Sequence, residues 1–539
     1  MSEAELVQHG REVLEKYADL GFYFASVDSF RFEYSRDSTL VDVTVFLHEG
    51  ERVKVSRLTL QGLAERDRDR FLRQFRTQPG KRFSQAALQE DIQRVLRYFT
   101  THGYPYCEVS ISDLRLAPAG ETGTAGLEIV LQVTPGEQVV IEDVEIRGNT
   151  QTRDFVILRE LPLATGELYD QRKVEKIAPR LTKLGYFKWI NPPRLQWQKN
   201  ETGKLIIELA EGSYNRFDGV IGYNPGTQES KGFVTGLIDV SFGNLFGTGR
   251  QVDAHWERRT EKTQQLRLHY LEPWVAGLPL NAGLGFEQVI QDTSYVERAL
   301  ALDLRLRVNE SLGLFSRVAT RSVTPDSLAA LRFGIPPSNS VSLALGVAFD
   351  SRDNVVNPRS GVNYRASFEW SRKKVSVRDS LTAVSSESQS FNQKRISVDL
   401  ETYLPVLRWQ VFAVGVHGRE IRTDEEVVSV TDQYRFGGTR TLRGYREEQF
   451  RGSKIAWANI EYRYLVNDLS RLFLFLDLGY FFREDLVQQV PVAVEAAKIG
   501  YGFGMRVDTR LGLLGVDYGL GEGDSFSRGK IHISLRNAF

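Results

Sequence analysis

The chain reads as small α+β repeats followed by an all-β membrane barrel of about 16 antiparallel strands, and three patterns carry that reading. Up to Gly212, a helix, an aromatic-rich turn and two alternating strands recur about every 75 to 85 residues. From Tyr214 to Phe539 the period becomes a strict two, as in a strand that meets a different solvent on each face. No stretch reaches the ~18 consecutive apolar residues of a membrane-crossing helix. Barrels escape that test because half of each strand faces away from lipid.

With 539 residues, of which 41% are hydrophobic, the sequence should hold more than one domain. Its 69 basic side chains balance 69 acidic ones, which argues against a nucleic-acid footprint. The single cysteine, Cys107, excludes an internal disulfide and a multi-cysteine metal cluster, and the seven histidines lack ligand spacing. No metal or cofactor chemistry is indicated. Met1 to Leu20 carries Glu3, Glu5, Arg11, Glu12, Glu15, Lys16 and Asp19 where a signal peptide would need an apolar core. The segment reads instead as an amphipathic helix, so an exported protein would have lost its signal from this sequence.

In the first part, three helical ends align: Leu14 to Val27, Leu96 to Val109 and Leu181 to Ile190. Each is followed by strands: Phe30 to Tyr34 with Val41 to Leu47, Ser110 to Leu116 with Leu127 to Val133, and Arg194 to Gln198 with Leu205 to Leu209. Before the second and third copies lie a strand and a helix, Val53 to Leu60 with Leu63 to Phe75, and Val139 to Arg147 with Asp154 to Leu161. Those two copies therefore have β-α-α-β-β order, and the first copy lacks its opening pair. Cys107, at a helix end, reads as a packed side chain.

In the second part, Leu300, Leu302, Leu304 and Leu306 oppose Asp303, Arg305 and Arg307. Val362, Tyr364, Ala366, Phe368 and Trp370 oppose Asn363, Arg365, Ser367 and Glu369. Ile499 to Val507 alternates with Gly500, Gly502, Gly504 and Arg506, glycines that read as room for close backbone approach inside a barrel. Alternation alone does not choose between a soluble sandwich and a membrane barrel. About sixteen runs in roughly 325 residues favour the barrel, since an even number of antiparallel strands is what a bilayer tolerates. Aromatics at run ends (Trp256, Trp274, Trp370, Tyr462, Tyr464 and Tyr480 to Phe482) suit interfacial girdles.

Between two such runs lies Tyr434 to Gly452, YRFGGTRTLRGYREEQFRG. Rich in Gly and Arg and without a hydrophobic period, it reads as neither strand nor helix. Arginines at this density need partners or water. On spacing alone Arg443 would be a solvated loop arginine. Asp350, Arg352 and Asp353 resemble a cation loop less than a turn beside Pro358 and Gly361.

The core Leu442-Arg443-Gly444-Tyr445 resembles the (V/L)-R-G-(F/Y) signature of the bacterial surface antigen superfamily, the BamA/TamA-like outer-membrane insertases, where it lies on the sixth extracellular loop and folds back into the barrel. Other motifs follow in order. Asn244 to Arg250 resembles the turn after the second barrel strand, Glu272-Pro273-Trp274 the end of the fourth, and Phe349-Asp350 through Asn357-Pro358-Arg359-Ser360-Gly361 the hairpin joining the eighth and ninth. Lys530 to Phe539 resembles the aromatic-ended insertion signal of outer-membrane barrels. The β-α-α-β-β copies, with Gly80 to Phe83 and Gly166 to Tyr169 opening their second helices, are similar to POTRA domains.

The resemblance implies a partial POTRA domain at 1–50, POTRA domains at 51–136 and 137–212, and a transmembrane barrel at 213–539. It places the barrel in a bacterial outer membrane with the POTRA domains in the periplasm. It also implies that the loop arginine is held by a carboxylate in the motif F-x-D-x-G on the thirteenth strand, which Phe475-Leu476-Asp477-Leu478-Gly479 matches. Parity agrees: Leu472, Leu474, Leu476, Leu478 and Tyr480 toward lipid send Asp477 and Gly479 into the lumen, and Glu461 with Arg463 points the same way. The implied function is assembly or translocation of other proteins, without enzymatic chemistry. Clients would be bound by POTRA edges and passed to a lateral seam between the first strand (Asn215 to Asn224) and the last (Lys530 to Phe539). Implied partners are unfolded outer-membrane or secreted proteins, the lipid bilayer, and accessory lipoproteins or an inner-membrane subunit, with no nucleic acid. The alternatives are a two-partner secretion transporter exporting an unfolded exoprotein, a passive porin-like channel, or a soluble all-β binding protein.

Overall fold

The computed structural model describes residues 3–34, 41–117, 124–197, 202–212, 214–224, 233–258, 263–291, 294–326, 335–378, 386–488, 490–509 and 512–536. It falls into two compact units, Met1–Thr150 with Ile157–Glu211, and Gln151–Val156 with Gly212–Phe539.

The first unit opens with α1 (Glu3–Asp19) and the antiparallel pair β1 (Ser26–Tyr34) and β2 (Val41–His48). The next copy is β3 (Arg52–Gln61), α2 (Glu65–Gln74), α3 (Gln85–Thr100), β4 (Glu108–Ala117) and β5 (Thr124–Thr134). Its sheet runs β3-β5-β4, with β3 parallel and β4 antiparallel to β5. In α3, Leu88, Val95 and Phe99 form a buried stripe against Val53, Leu60, Ile129 and Leu131, so one face of the sheet is covered. The Ser84 hydroxyl caps the helix by accepting the Ala87 N–H at 3.3 Å. At the other end Gly103, at φ 97°, lets the Tyr104 N–H return to the Phe99 carbonyl. Asp91, on the same helix and fully buried, accepts the backbone N–H groups of Arg76 (2.9 Å) and Thr77 (2.8 Å), fixing the chain between the two helices. Cys107 is buried in this core, and burial, reinforced by the neighbouring Glu108 charge, pushes its thiol up to about 11, an inert packed side chain.

The last copy is β6 (Val140–Arg147), α4 (Asp154–Leu158), α5 (Gln171–Glu175), α6 (Ile177–Thr182), β7 (Phe187–Ile190), β8 (Arg194–Trp197) and β9 (Thr202–Glu211). Two features differ from the sequence reading. The second helix is broken at Lys176, because Pro179 has no N–H to return to Glu175. Residues from Phe187 to Ile190, read as a helix end, form an extra strand on β9. Gln198, the expected end of the following strand, lies outside the described residues. Both complete copies use their Gly-x-x-aromatic turn alike. Gly80 and Phe83 donate to the Val55 and Val53 carbonyls, and Gly166 and Tyr169 to those of Ile141 and Val139, so the turn lines the outer edge of the first strand.

The second unit carries sixteen antiparallel strands: β10 (Arg216–Asn224), β11 (Phe233–Leu245), β12 (Arg250–Arg258), β13 (Gln264–Glu272), β14 (Leu280–Gln291), β15 (Tyr295–Arg307), β16 (Leu312–Pro325), β17 (Ser338–Asp350), β18 (Gly361–Arg378), β19 (Ser386–Leu407) and β20 (Gln410–Thr423), then β23 (Lys454–Leu465), β24 (Arg471–Val487), β25 (Val490–Thr509), β26 (Gly512–Gly521) and β27 (Lys530–Arg536). Every strand pairs with its neighbours in sequence, and β20 pairs with β23 across the long loop. That loop is not wholly irregular. Its aromatic flanks form a short ribbon, β21 (Tyr434–Phe436) with β22 (Phe450–Gly452), which corrects the expectation of no strand between Tyr434 and Gly452.

The alternation sorts the side chains as a membrane barrel requires. In β24, Leu472, Leu474, Leu476 and Leu478 are exposed while Phe473, Phe475, Asp477, Gly479 and Phe481 point to the enclosed face. Leu300, Phe368, Trp370, Ile499 and Phe503 are likewise exposed on the outward face. Phe481 is thus not part of an interfacial girdle, since its odd position turns it inward. The turn from Asp350 to Gly361 is built by Asp353, whose carboxylate accepts the N–H groups of Asn354, Arg359 and Ser360.

Two measurements check this account. Asp91→Ala leaves the buried Thr77 N–H and the half-buried Arg76 N–H without their acceptor and should cost about 2 kcal/mol, read as faster hydrogen exchange across Arg76, Thr77 and α3 in the full chain. On adjacent residues of β18, Phe368→Arg should lose about 2 to 4 kcal/mol in urea unfolding from lipid vesicles. Ser367→Arg, on the other face, should change stability by less than about 1 kcal/mol.

Candidate functional site

The site is where the loop tip meets four consecutive strands. Arg443 is 3% exposed and Asp477 is fully buried. The pairing is two-pronged, as planar fork meets planar carboxylate: Arg443 Nε donates to Asp477 Oδ2 at 2.8 Å and Nη2 to Oδ1 at 2.7 Å. The Arg443 backbone N–H adds a third bond to Oδ2 at 2.9 Å. Its remaining Nη1 donates to Glu461 Oε1 at 2.7 Å, and Arg463 Nε holds the other Glu461 oxygen at 2.8 Å. The guanidinium lies 3.8 Å from the centroid of the Phe475 ring, an additional cation–π contact. Asn459, paired in register with Asp477, bridges Asp477 Oδ1 (2.8 Å) and the Thr441 carbonyl (2.9 Å).

The residues around Arg443 explain why this tip can enter. Gly444 sits at φ 91°, and a Cβ there would come within 2.5 Å of the Leu520 carbonyl. Gly500, Gly519 and Gly521 hollow the facing wall of β25 and β26 so that the backbone of Arg443 and Gly444 lies against it. On the other side, Leu442 is fully buried over Gly479 beside Phe436, Ile455 and Phe481. The Tyr445 hydroxyl donates to the Ile499 carbonyl at 3.1 Å and accepts the Glu522 N–H at 3.0 Å. The structure therefore brings Arg443, Gly444, Tyr445, Glu461, Asp477 and Gly479 into one seat. Asn459, Phe475 and the three wall glycines belong to it as well. Sequence reasoning named Phe475 only within its motif and left out Asn459, Gly519 and Gly521, although Asn459 shares the odd parity of Glu461 and Phe475 that of Asp477.

The seam residues lie apart from the seat. Asn215 is exposed just ahead of β10, and Asn224 ends β10 opposite Phe233. Lys530 opens β27, pairs with Gly519 in register, and its ammonium contacts Asp524. Phe539 lies outside the described residues. Among the described residues no ladder joins β10 to β27, the two ends of the sheet.

Comparison with known proteins gives this arrangement its context. An Omp85 superfamily domain profile matches residues 244–535, and a surface antigen variable number repeat (POTRA) profile matches 53–136 and 139–212. The chain is 23% identical over 476 residues to the outer membrane protein assembly factor BamA of Neisseria meningitidis serogroup B, covering 82% of this chain and 56% of that protein. It is 22% identical over 522 residues to the BamA of Nitratidesulfovibrio vulgaris, covering 88% and 60%. The chain thus spans less than two thirds of the length of these relatives. Among solved structures, BamA from Haemophilus ducreyi lacking POTRA domains 1–3 superposes with a TM-score of 0.56 at 14% identity, over 89% of this chain and 98% of that one. CdiB from Acinetobacter baumannii gives 0.50 at 13% identity, over 96% and 95%. These two likenesses concern the fold. The profile match over more than half of the sequence, together with the seated Arg-Gly-Tyr tip and the sixteen-stranded sheet, shows that the chain belongs to the Omp85 superfamily.

Proposed function

We propose that this chain is an outer-membrane protein assembly factor, with its POTRA copies in the periplasm, that binds unfolded client proteins and passes them into the bilayer at the β10/β27 seam. The observation that carries this reading is a loop held inside the sheet by a buried ion seat while the first and last strands share no ladder. The relatives named as assembly factors support it. The action is non-covalent. Backbone groups left unpaired in hydrocarbon cost several kcal/mol, so two open strand edges favour pairing with an incoming hairpin.

The POTRA copies offer a place for an extended client to wait. In the first complete copy, the outer edge of β3 is taken by its own Gly80 to Phe83 turn, which leaves β4 as the open edge. Ile111, Leu114 and Leu116 are exposed along β4. A client strand added there gains main-chain hydrogen bonds with little demand on sequence. We read residues 3–48 as the α-β-β portion of a further copy, and accessory lipoproteins or an inner-membrane subunit as partners of this unit.

The test is client insertion into liposomes. Arg443→Ala leaves Asp477 buried without its counter-charge, and Asp477→Ala strips Arg443 of its two-pronged partner and leaves it Glu461. Each should cost about 3 to 5 kcal/mol of loop seating, cutting insertion at least tenfold while heat-modifiable barrel folding persists. Gly500→Ala, which places a methyl against the Arg443 carbonyl, should act in the same direction. Native insertion rates from all three variants would discard the role.

A further inference from the structure

Well before its tip, the loop meets a second group of buried charges. Asp432 has a side chain only 2% exposed, and its Oδ1 accepts Arg321 Nη1 at 2.6 Å while its Oδ2 accepts Lys373 Nζ at 2.6 Å. Arg395 Nη2 and Gln393 Nε2 stand 3.5 Å away. The Arg321 fork is otherwise occupied by both Glu297 oxygens (2.5 and 2.8 Å) and by the Thr431 carbonyl (2.8 Å). Lys373 is as deeply buried, 4% exposed, and its second ion partner is Glu425, at 3.0 and 3.1 Å.

The origin of these charges is what matters. Glu297, Arg321, Lys373 and Arg395 stand on β15, β16, β18 and β19, whereas Glu425, Thr431 and Asp432 belong to the loop. Among the described residues, both carboxylates paired with Lys373 come from the loop. A buried ammonium without a counter-ion is costly, so the wall here is electrostatically complete only when the loop lies on it. The height differs from that of the tip seat. Lys373 lies toward the far end of the 18-residue β18, flanked by exposed Arg372 and Lys374, whereas Asp477 lies in the first half of the 17-residue β24. About 9 to 11 residues of a tilted strand span the bilayer, so the two charge groups hold the loop at different depths and on different strands.

We propose that Asp432 is a positioning residue: together with Lys373 and Arg321 it forms a second anchor of the loop, independent of the Arg443 seat, that keeps the loop across the lumen. What the loop does for clients rests on the assembly reading above, but the anchoring is a property of the loop alone. It predicts that either end of the loop can loosen while the other stays docked, each loosening opening the pore in part, and that full withdrawal requires both anchors to break.

The full chain in planar bilayers provides the test. Asp432→Asn, which keeps size and removes charge, should raise the open-pore fraction at least fivefold, and Asp432→Glu should return it to near the native level. Arg443→Ala combined with Asp432→Asn should exceed either change alone and approach the conductance of a chain with residues 430–452 deleted. Lys373→Met, scored for folding by heat-modifiability, is the second variant should Asp432→Asn not fold, and it should open the pore in the same direction. Native conductance in a folded Asp432→Asn or Lys373→Met chain would overturn the anchor, as would Asp432→Glu behaving like Asp432→Asn. Client insertion by the unaltered chain, measured in parallel, separates the two ideas: its absence would sink the assembly reading and leave the conductance comparison standing.

Discussion

A guanidinium placed inside a sheet must find its counter-charges there, and the rest of the second unit follows from how that demand is met. Asp477 alone satisfies two prongs and a backbone N–H of Arg443, and Glu461 takes the third prong. Removing either side strands a charge in a low-dielectric setting, which costs far more than the intact pair returns. The seat is therefore better viewed as a constraint on where the loop can be than as a source of stability.

Shape and charge cooperate in that constraint. The tip enters because glycines face it from several directions: Gly444 in the loop, Gly479 beneath Leu442, and Gly500, Gly519 and Gly521 in the opposite wall. Each removes a side chain where backbone must approach backbone. The Phe475 ring then closes over the guanidinium. Specificity of position comes from the hollows, and the penalty for leaving comes from the ions.

Much of this was legible in the sequence, for reasons that can be named. A period of two fixes which face a strand residue takes, so the lumenal placement of Asp477, Gly479, Glu461 and Arg463 followed from the leucines and tyrosines between them. The glycines at 500, 502 and 504 announced close approach, though not of what. Periodicity gives face but not height, and it says nothing about the path of a loop. For that reason the bridging of Asn459 to Thr441, and the meeting of Asp432 with Arg321 and Lys373, needed coordinates. In the repeats, the apolar stripe of α3 was visible, whereas the break at Lys176 and the extra strand from Phe187 turned on Pro179 and on a nearby edge of β9.

The sheet is a plain meander in which each strand bonds to its neighbours in the chain, apart from the jump from β20 to β23. Such a topology can grow hairpin by hairpin, since most of its contacts are short in sequence. The Asp432 anchor is the exception, joining Arg321 to a residue 111 positions away, whereas Arg443 and Asp477 are 34 apart, no farther than Glu420 and Lys454 in the β20–β23 ladder. Until the loop docks, Lys373 and Asp477 must keep their hydration. Docking of the loop is thus the step that dehydrates both charge groups and fixes the loop's path.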